Sequence, residues 1–482
     1  MHLKRPSLNK VIAIGVIALA VVGAGGWGLL AVFDWRFHPV PQIAKAAPPE
    51  NRGQANTQDL EALGQLLQLD RSFSVQAAQH FEQERAKLIA KAAELTPQAL
   101  EMQVSRLVAL ADNGHTTVGR RLRRLNRVAI RVDWFEEGLF IVRASEAQAD
   151  LVGAQVLRIN GKTAEELFIG LIPYVSGTAE HARATTPLFL ESPDALNGVW
   201  PEMDASEATY TLRKASGQTT TATLKAIPAD PKASYIDPTR DLAPQRIAGE
   251  SLPWRSVLTG QMDLPLVLRE PDSSIFAQRL DKGMGLYIHI TNIEADVRGE
   301  LSQQLAAILA VIEPDSLRYA ILDLRFDGGG DYVETLRFVK ELPKRIARDG
   351  KLFILTDHAT FSAALVTTAR AKYFGGTRSV ILGERVGDRE RFWAESGTPL
   401  VLPNSKILVF FATGYHDWSE GCQWSDLTRC FWPNLAFGGP AGSLSPSSLL
   451  AWRFSDYRNA RDTVMEETLR QAAPLIAASE QR

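Results

Sequence analysis

Residues Phe353 to Leu365, FILTDHATFSAAL, form an apolar run that breaks at Thr356, Asp357 and His358 and resumes as the small-residue stretch Ser362 to Thr368. A short strand, a polar turn and a helix opening on a serine place that hydroxyl at a helix N-terminus, where unpaired backbone N–H groups favour negative charge. Such a serine can serve as a nucleophile, or it can simply cap the helix, since serine is among the best N-cap residues. Upstream, AILDLRFDGGGD carries a buried-type strand, Ala320 to Leu324, into Gly328, Gly329 and Gly330. Glycines let backbone amides turn inward and approach a ligand closely, which an oxyanion hole requires. One loop offering amides and a second offering a hydroxyl read together as an acyl-transfer site, with Gly328, Gly329 and Ala363 as the backbone donors.

The surrounding order is α/β: strand Gly285 to Ile290, helix Val297 to Ile312, strand Ala320 to Leu324, helix Val333 to Ala347, strand Leu352 to Leu355, helix Ser362 to Ala371, strand Ser379 to Leu382. Helices separating strands imply right-handed crossovers and a largely parallel sheet with its site at the strand C-terminal ends. The glycine run and Ser362 both follow strands.

DLRFDGGGD and TFSAA, together with the later LGERVGD and LPNSK, resemble the tail-specific (C-terminal-processing) serine protease family and the related core of tricorn protease. The similarity runs from about Leu107 to Phe411, and the ordered set is more specific than any single motif. It implies a crotonase-like α/β catalytic core (the ClpP/crotonase type) with an N-terminal helical part and a PDZ-like module, Ser362 as nucleophile, a polypeptide substrate and no cofactor. The tricorn-like branch carries a D-G-H-T motif after a helix, its histidine acting as general base. This chain has Asp112-Asn113-Gly114-His115-Thr116, so the resemblance makes His115 the base, although Gly114 stands where tricorn has a participating serine. The Ser/Lys branch places a lysine after the glycine-glutamate pair. No lysine occurs here between Lys372 and Lys406, and Asp388 and Arg389 do not substitute for it, arginine staying protonated and unable to serve as a base. A Ser/His site needs an orienting acid, and Glu395 in FWAESG is the candidate. His358, four residues before Ser362, is the rival base; His289 alternates with apolar neighbours and reads as a core residue.

At the N-terminus, Lys4, Arg5 and Lys10 precede an uncharged run from Val11 to Phe33. At 1.5 Å per residue that run reaches about 34 Å, enough to cross a bilayer core, with the basic end cytoplasmic. It reads as an uncleaved transmembrane anchor; the alternative is a signal peptide cut at Ala44-Lys45-Ala46. Either way the body lies outside the cytoplasm, periplasmic or extracellular. The two cysteines, Cys422 and Cys430, then form a local disulfide, a loop closure contributing roughly 2–3 kcal/mol; two free thiols are the alternative. Two cysteines are too few for a metal site.

Composition is that of a globular body, 45% hydrophobic and 22% charged. A net charge of −2 gives no support for a nucleic-acid partner, which would call for a basic face. The expected division is a basic cytoplasmic segment (1–10), the anchor (11–33), a proline-rich linker (34–57), a helical domain (58–127), a PDZ-like and hairpin region (128–228), a connection (229–282) and the catalytic core (283–482). In the helical part, Thr96-Pro97 supplies a cap and a first-turn proline. In the PDZ-like part, LVGAQVLRINGKTAEEL gives a strand, a turn and a helix; such modules bind peptides by strand addition, and an ordinary hairpin is the alternative. The functional expectation is a serine endopeptidase working through a Ser/His acyl-enzyme. The alternative is a protein of the same fold that binds or scaffolds without hydrolysis.

Overall fold

A computed structural model describes residues 28, 30–43, 46–119, 125–228, 241–245, 252–294 and 299–480. Most of the run Val11 to Phe33 and the Ala44-Lys45 pair lie outside them. Among the described residues no helix is long and apolar enough to cross a membrane.

Helices α1 (Arg52–Leu63), α2 (Val75–Ala90) and α3 (Pro97–Ala109) form the N-terminal part. Thr96 caps α3 by accepting from Ala99 N at 3.1 Å. Their apolar faces do not close on one another alone: Leu60, Phe81, Val104 and Leu107 share a core with Leu400, Leu402, Val409 and Phe411 from the far end of the chain. Parts of the span assigned to a linker pack on the body. Residues 31–37 are helical, Phe37 is fully buried and α1 begins at Arg52; neighbouring elements hold what the proline-rich composition hides.

The first sheet has eight strands: β1 (Arg127–Val128), β2 (Ile130–Phe135), β3 (Gly138–Ser145), β4 (Gln155–Ile159), β5 (Lys162–Thr163), β6 (Glu207–Arg213), β7 (Thr219–Ile227) and β8 (Trp254–Ser256). Helix α4 (Ala179–Leu190) packs on β2. The hairpin around Ser216-Gly217 pairs β6 with β7, Glu207 opposite Lys225 and Arg213 opposite Thr219.

The second sheet orders its strands β18-β13-β12-β11-β10-β9: β9 (Ile275–Leu280), β10 (Gly285–Ile290), β11 (Leu317–Asp323), β12 (Ile346–Thr356), β13 (Ser379–Gly383) and β18 (Ser448–Leu449). All neighbours are parallel except β9 with β10. Helices α5 (Glu300–Ala310), α6 (Val333–Glu341) and α7 (Ala363–Gly375) cover one face, and α8 (Thr463–Glu480) the other. The connection contributes β8 to the first sheet and β9 to the second, strands that its polar, proline-rich composition hides. The helix expected to run to Ala347 stops at Glu341, because Pro343 follows and Ile346 onward belongs to β12. Beyond β13, a ribbon pairs β14 (Arg391–Ala394) with β17 (Gly414–Asp417), and β15 (Leu400–Val401) with β16 (Leu408–Val409). Cys422 and Cys430 are bridged, their Cα atoms 6.3 Å apart.

Candidate active site

Three chain segments meet at the C-terminal ends of β11, β12 and β13. The first is the turn from β12 into α7. Asp357 organises it: its carboxylate accepts from Ala359 N (3.0 Å), Thr360 N (2.9 Å) and Phe326 N (3.1 Å to each oxygen). The Thr360 hydroxyl donates to Leu324 O at 2.8 Å, and Phe361 N donates to Asp327 O at 3.0 Å. So held, Ser362 takes φ +54°, ψ −120°, a conformation that costs a side-chain-bearing residue free energy and is kept where surroundings over-determine it. Its hydroxyl makes no capping bond to α7. It lies instead 2.9 Å from Nε2 of His115, which separates the two meanings a helix-start serine can have.

The second segment is the loop after α3. Thr116 donates to the buried Asp70 carboxylate at 2.6 Å, Asn113 Nδ2 donates to the Thr116 hydroxyl at 3.0 Å, and Ala412 N donates to Asp70 at 2.7 Å. Trp393 N donates to Asn113 Oδ1 at 3.1 Å. The Arg389 guanidinium grips Asp112 at its backbone oxygen (2.6 Å) and carboxylate (2.8 Å). Between these anchors the imidazole of His115 is sandwiched by Phe361 and Phe392, with ring centroids 4.7 and 5.0 Å away and interplanar angles of 25° and 11°. Gly114 suits this packing: a Cβ there would stand 2.7 Å from the Phe361 ring, so a side chain at this position needs Phe361 to shift.

The third segment follows β13. Asp388, also buried, puts Oδ2 3.4 Å from His115 Nδ1. The carboxylate beside His115 is therefore that of Asp388 and not the expected Glu395. Glu395 lies 3.3 Å from His416 Nε2 instead, on the far side of Phe392, because β14 turns the residues after Ala394 away from His115. Burial, with the charges of His416 and His181 adding to it, lowers the His115 pKa to about 3, and burial pushes Asp388 up to about 7. His115 is thus held as the neutral imidazole, the form able to accept a proton.

His358 does not face Ser362 as a base. Its Nδ1 is 2.6 Å from Glu384 Oε2. Burial opposes its charge, but Glu384 outweighs burial and carries its pKa up to about 9, while Glu384, despite its own burial, falls to about 2. An imidazolium so paired has no lone pair to offer. His289 is buried, with Nε2 3.2 Å from Arg325 O.

The glycine loop lies against Ser362. Gly329 has φ +105°, and a Cβ on it would fall 2.6 Å from Ser362 Cβ and 2.9 Å from Ala363 N. The missing side chain leaves room in front of the hydroxyl and the first amide of α7. Gly329 N donates to Asp327 Oδ1 at 2.8 Å, so of the expected donors the Ala363 amide is at the opening and that of Gly329 is turned into its own loop, beside Gly328. Among the described residues no group of three or more His, Cys, Asp or Glu could hold a metal ion. In the sequence Asp388 is set aside as a substitute for the absent lysine and given no other part; the signal for it is its place after the end of a parallel strand, where such sheets place their chemistry.

No family model and no curated protein matches the chain. Among solved structures, mature CPAF complexed with lactacystin aligns over 88% of this chain and 99% of its own at a TM-score of 0.54 and 14% identity. Mature CPAF alone covers 88% and 98% at 0.55, again 14% identical. The photosystem II D1 C-terminal processing protease aligns over 82% and 93% at 0.38 and 12%. With CPAF, the likeness is one of fold.

Proposed function

We propose that this protein is a serine endopeptidase acting on polypeptides outside the cytoplasm through an acyl-enzyme, with Ser362 as nucleophile, His115 as general base and Asp388 as the orienting acid. The observation that carries this is the 2.9 Å approach of Ser362 Oγ to His115 Nε2 from a serine whose backbone is strained and whose hydroxyl caps nothing. In the reaction, Ser362 Oγ attacks the scissile carbonyl as its proton passes to His115 Nε2. The Ala363 amide donates to the oxyanion of the tetrahedral intermediate. His115 then gives the proton to the leaving amine, and a water deprotonated by the same nitrogen releases the acyl group. Asp388 has its effect when the imidazolium forms, since a carboxylate 3.4 Å from Nδ1 lowers the energy of that charge in a water-poor site. The resemblance to the tail-specific family supports this reading, and so does the fold shared with CPAF.

The uncharged run Val11 to Phe33 and the bridged cysteines support membrane anchorage with the body on the oxidising side. The experiment is covalent labelling of the full chain, purified in detergent, with a fluorophosphonate probe. Wild type takes the label and Ser362→Ala does not. A folded wild type that stays unlabelled throughout the neutral pH range leaves the non-hydrolytic binding protein as the reading.

A further inference from the structure

His115 is one ring in a column that crosses the catalytic unit. Beyond Phe361 lies His181, at 4.5 Å; beyond Phe392 lies His416, at 4.8 Å and 10°; beyond His416 lies Phe431, at 5.7 Å and 16°. His416 is fixed edge-on as well, by Asn434 Nδ2 at 2.9 Å and the Glu395 carboxylate. The column ends on residues from the other end of the chain. Phe37 meets Phe431 at 5.1 Å and Trp432 at 5.5 Å, both edge-to-face, and Phe33 backs it at 5.0 Å. Phe37 is fully buried, whereas Trp35 on the opposite side is 74% exposed.

The segment around Phe37 is pinned by polar contacts as firmly as by its rings. Thr413 donates to Phe37 O at 2.7 Å, Arg36 donates to Thr428 O within the disulfide loop, and Gln65 brackets Gln42 with bonds of 3.0 and 2.7 Å. A Cβ on Gly397 would fall 2.2 Å from Pro39 O, so the ribbon that carries Glu395 is shaped to receive this backbone. Removing the chain up to Ala46 would empty a pocket lined by Phe431 and Trp432 and admit water behind His416.

We propose that residues 33–42 are a permanent part of the catalytic unit and that Phe37 is a positioning residue. It closes the far end of the ring column holding His115, so the body is competent while it stays joined to its N-terminal segment, and the chain is not released by cleavage at Ala44 to Ala46. The catalytic half of this inference rests on the Ser362–His115 reading; the docking half does not. The groups facing the column are Asp388 and Arg389 beside His115, His181 at one end, and His416 with Glu395 and Tyr332 near the other.

The test uses the full chain in detergent with a specific protease site inserted between Ala47 and Pro48. After cleavage the fragment ending at Ala47 co-elutes with the body, and it separates when Phe37→Ala is present; separation from the wild-type body overturns the docking. In the uncleaved chain, Phe37→Ala slows fluorophosphonate labelling on the order of tenfold and moves the lower acid limb of the labelling rate, the one set by His115 and not by Asp388, to higher pH, because water reaching the column makes His115 easier to protonate; Phe37→Leu restores both. A loss of stability alone would leave that limb in place. Wild-type rate and limb in Phe37→Ala overturn the coupling to His115. An unlabelled wild type overturns the peptidase reading instead, and fragment retention still decides the docking.

Discussion

Replacing Asp388 by asparagine keeps the shape of the site and removes the charge that faces His115. At 3.4 Å, a carboxylate and an imidazolium attract by about 5 kcal/mol at an effective dielectric constant of ~20, equivalent to between three and four decades in rate. Burial pushes Asp388 up to about 7, so at pH 8 roughly nine-tenths of the wild-type enzyme carries the charge and the expected loss in labelling rate there stays at about 10³–10⁴. The sign with pH follows. Wild-type activity rises as pH passes through the Asp388 value and the carboxylate ionises, while Asp388→Asn lacks that rise and stays flat above the His115 transition. Labelling rates measured from pH 4 to 9 on wild type, Asp388→Asn and Glu395→Gln separate the two candidate acids. Asp388 touches His115 and not the substrate, so the loss falls on kcat with KM little changed. An Asp388→Asn rate within threefold of wild type, or a larger loss in Glu395→Gln, would refute the assignment.

Gly114→Ser should put a side chain into the Phe361 ring, 2.7 Å from the new Cβ, costing about 1–3 kcal/mol by overpacking and slowing labelling; an unchanged denaturation midpoint would show that Phe361 yields. The His358–Glu384 pair makes stability depend on pH in two directions. His358 is raised to about 9, so its contribution is complete below ~6.5 and is lost as pH climbs through 9, amounting to about 3 kcal/mol. Glu384 is lowered to about 2, so its contribution is present above ~4.5 and is lost as pH falls toward 2. Urea melts across pH should show the alkaline loss in wild type and not in His358→Gln, which should still take the fluorophosphonate label; loss of labelling would return His358 to the role of base. Fractionation should recover the protein in membranes, and mass spectrometry without reductant should show Cys422 and Cys430 two hydrogens lighter; reduction should lower stability by roughly 2–3 kcal/mol. Intact protein in the cytosol with both thiols free would contradict the extracytoplasmic placement.

What the sequence determined by itself are the features carried by local patterns. Alternation and apolar runs located β10 at Gly285–Ile290 and the strands leading to the glycine loop and Ser362. A Thr-Pro pair located the start of α3, and a strand-to-helix turn located Ser362 as the candidate nucleophile. Each rests on contacts within a few residues, so a short window contains the cause. Tertiary structure decided the rest. Whether Ser362 caps a helix or faces a base depends on a histidine 247 residues away. Asp388 and Glu395 are both acids soon after β13, and which one meets His115 depends on how β14 turns. The ring column joins segments from residue 33 to residue 432, and Phe37 reads as part of a linker until Phe431 and Trp432 stand over it. Stacking, burial and close approach are properties of pairs far apart in the chain, with no trace in the residues between them.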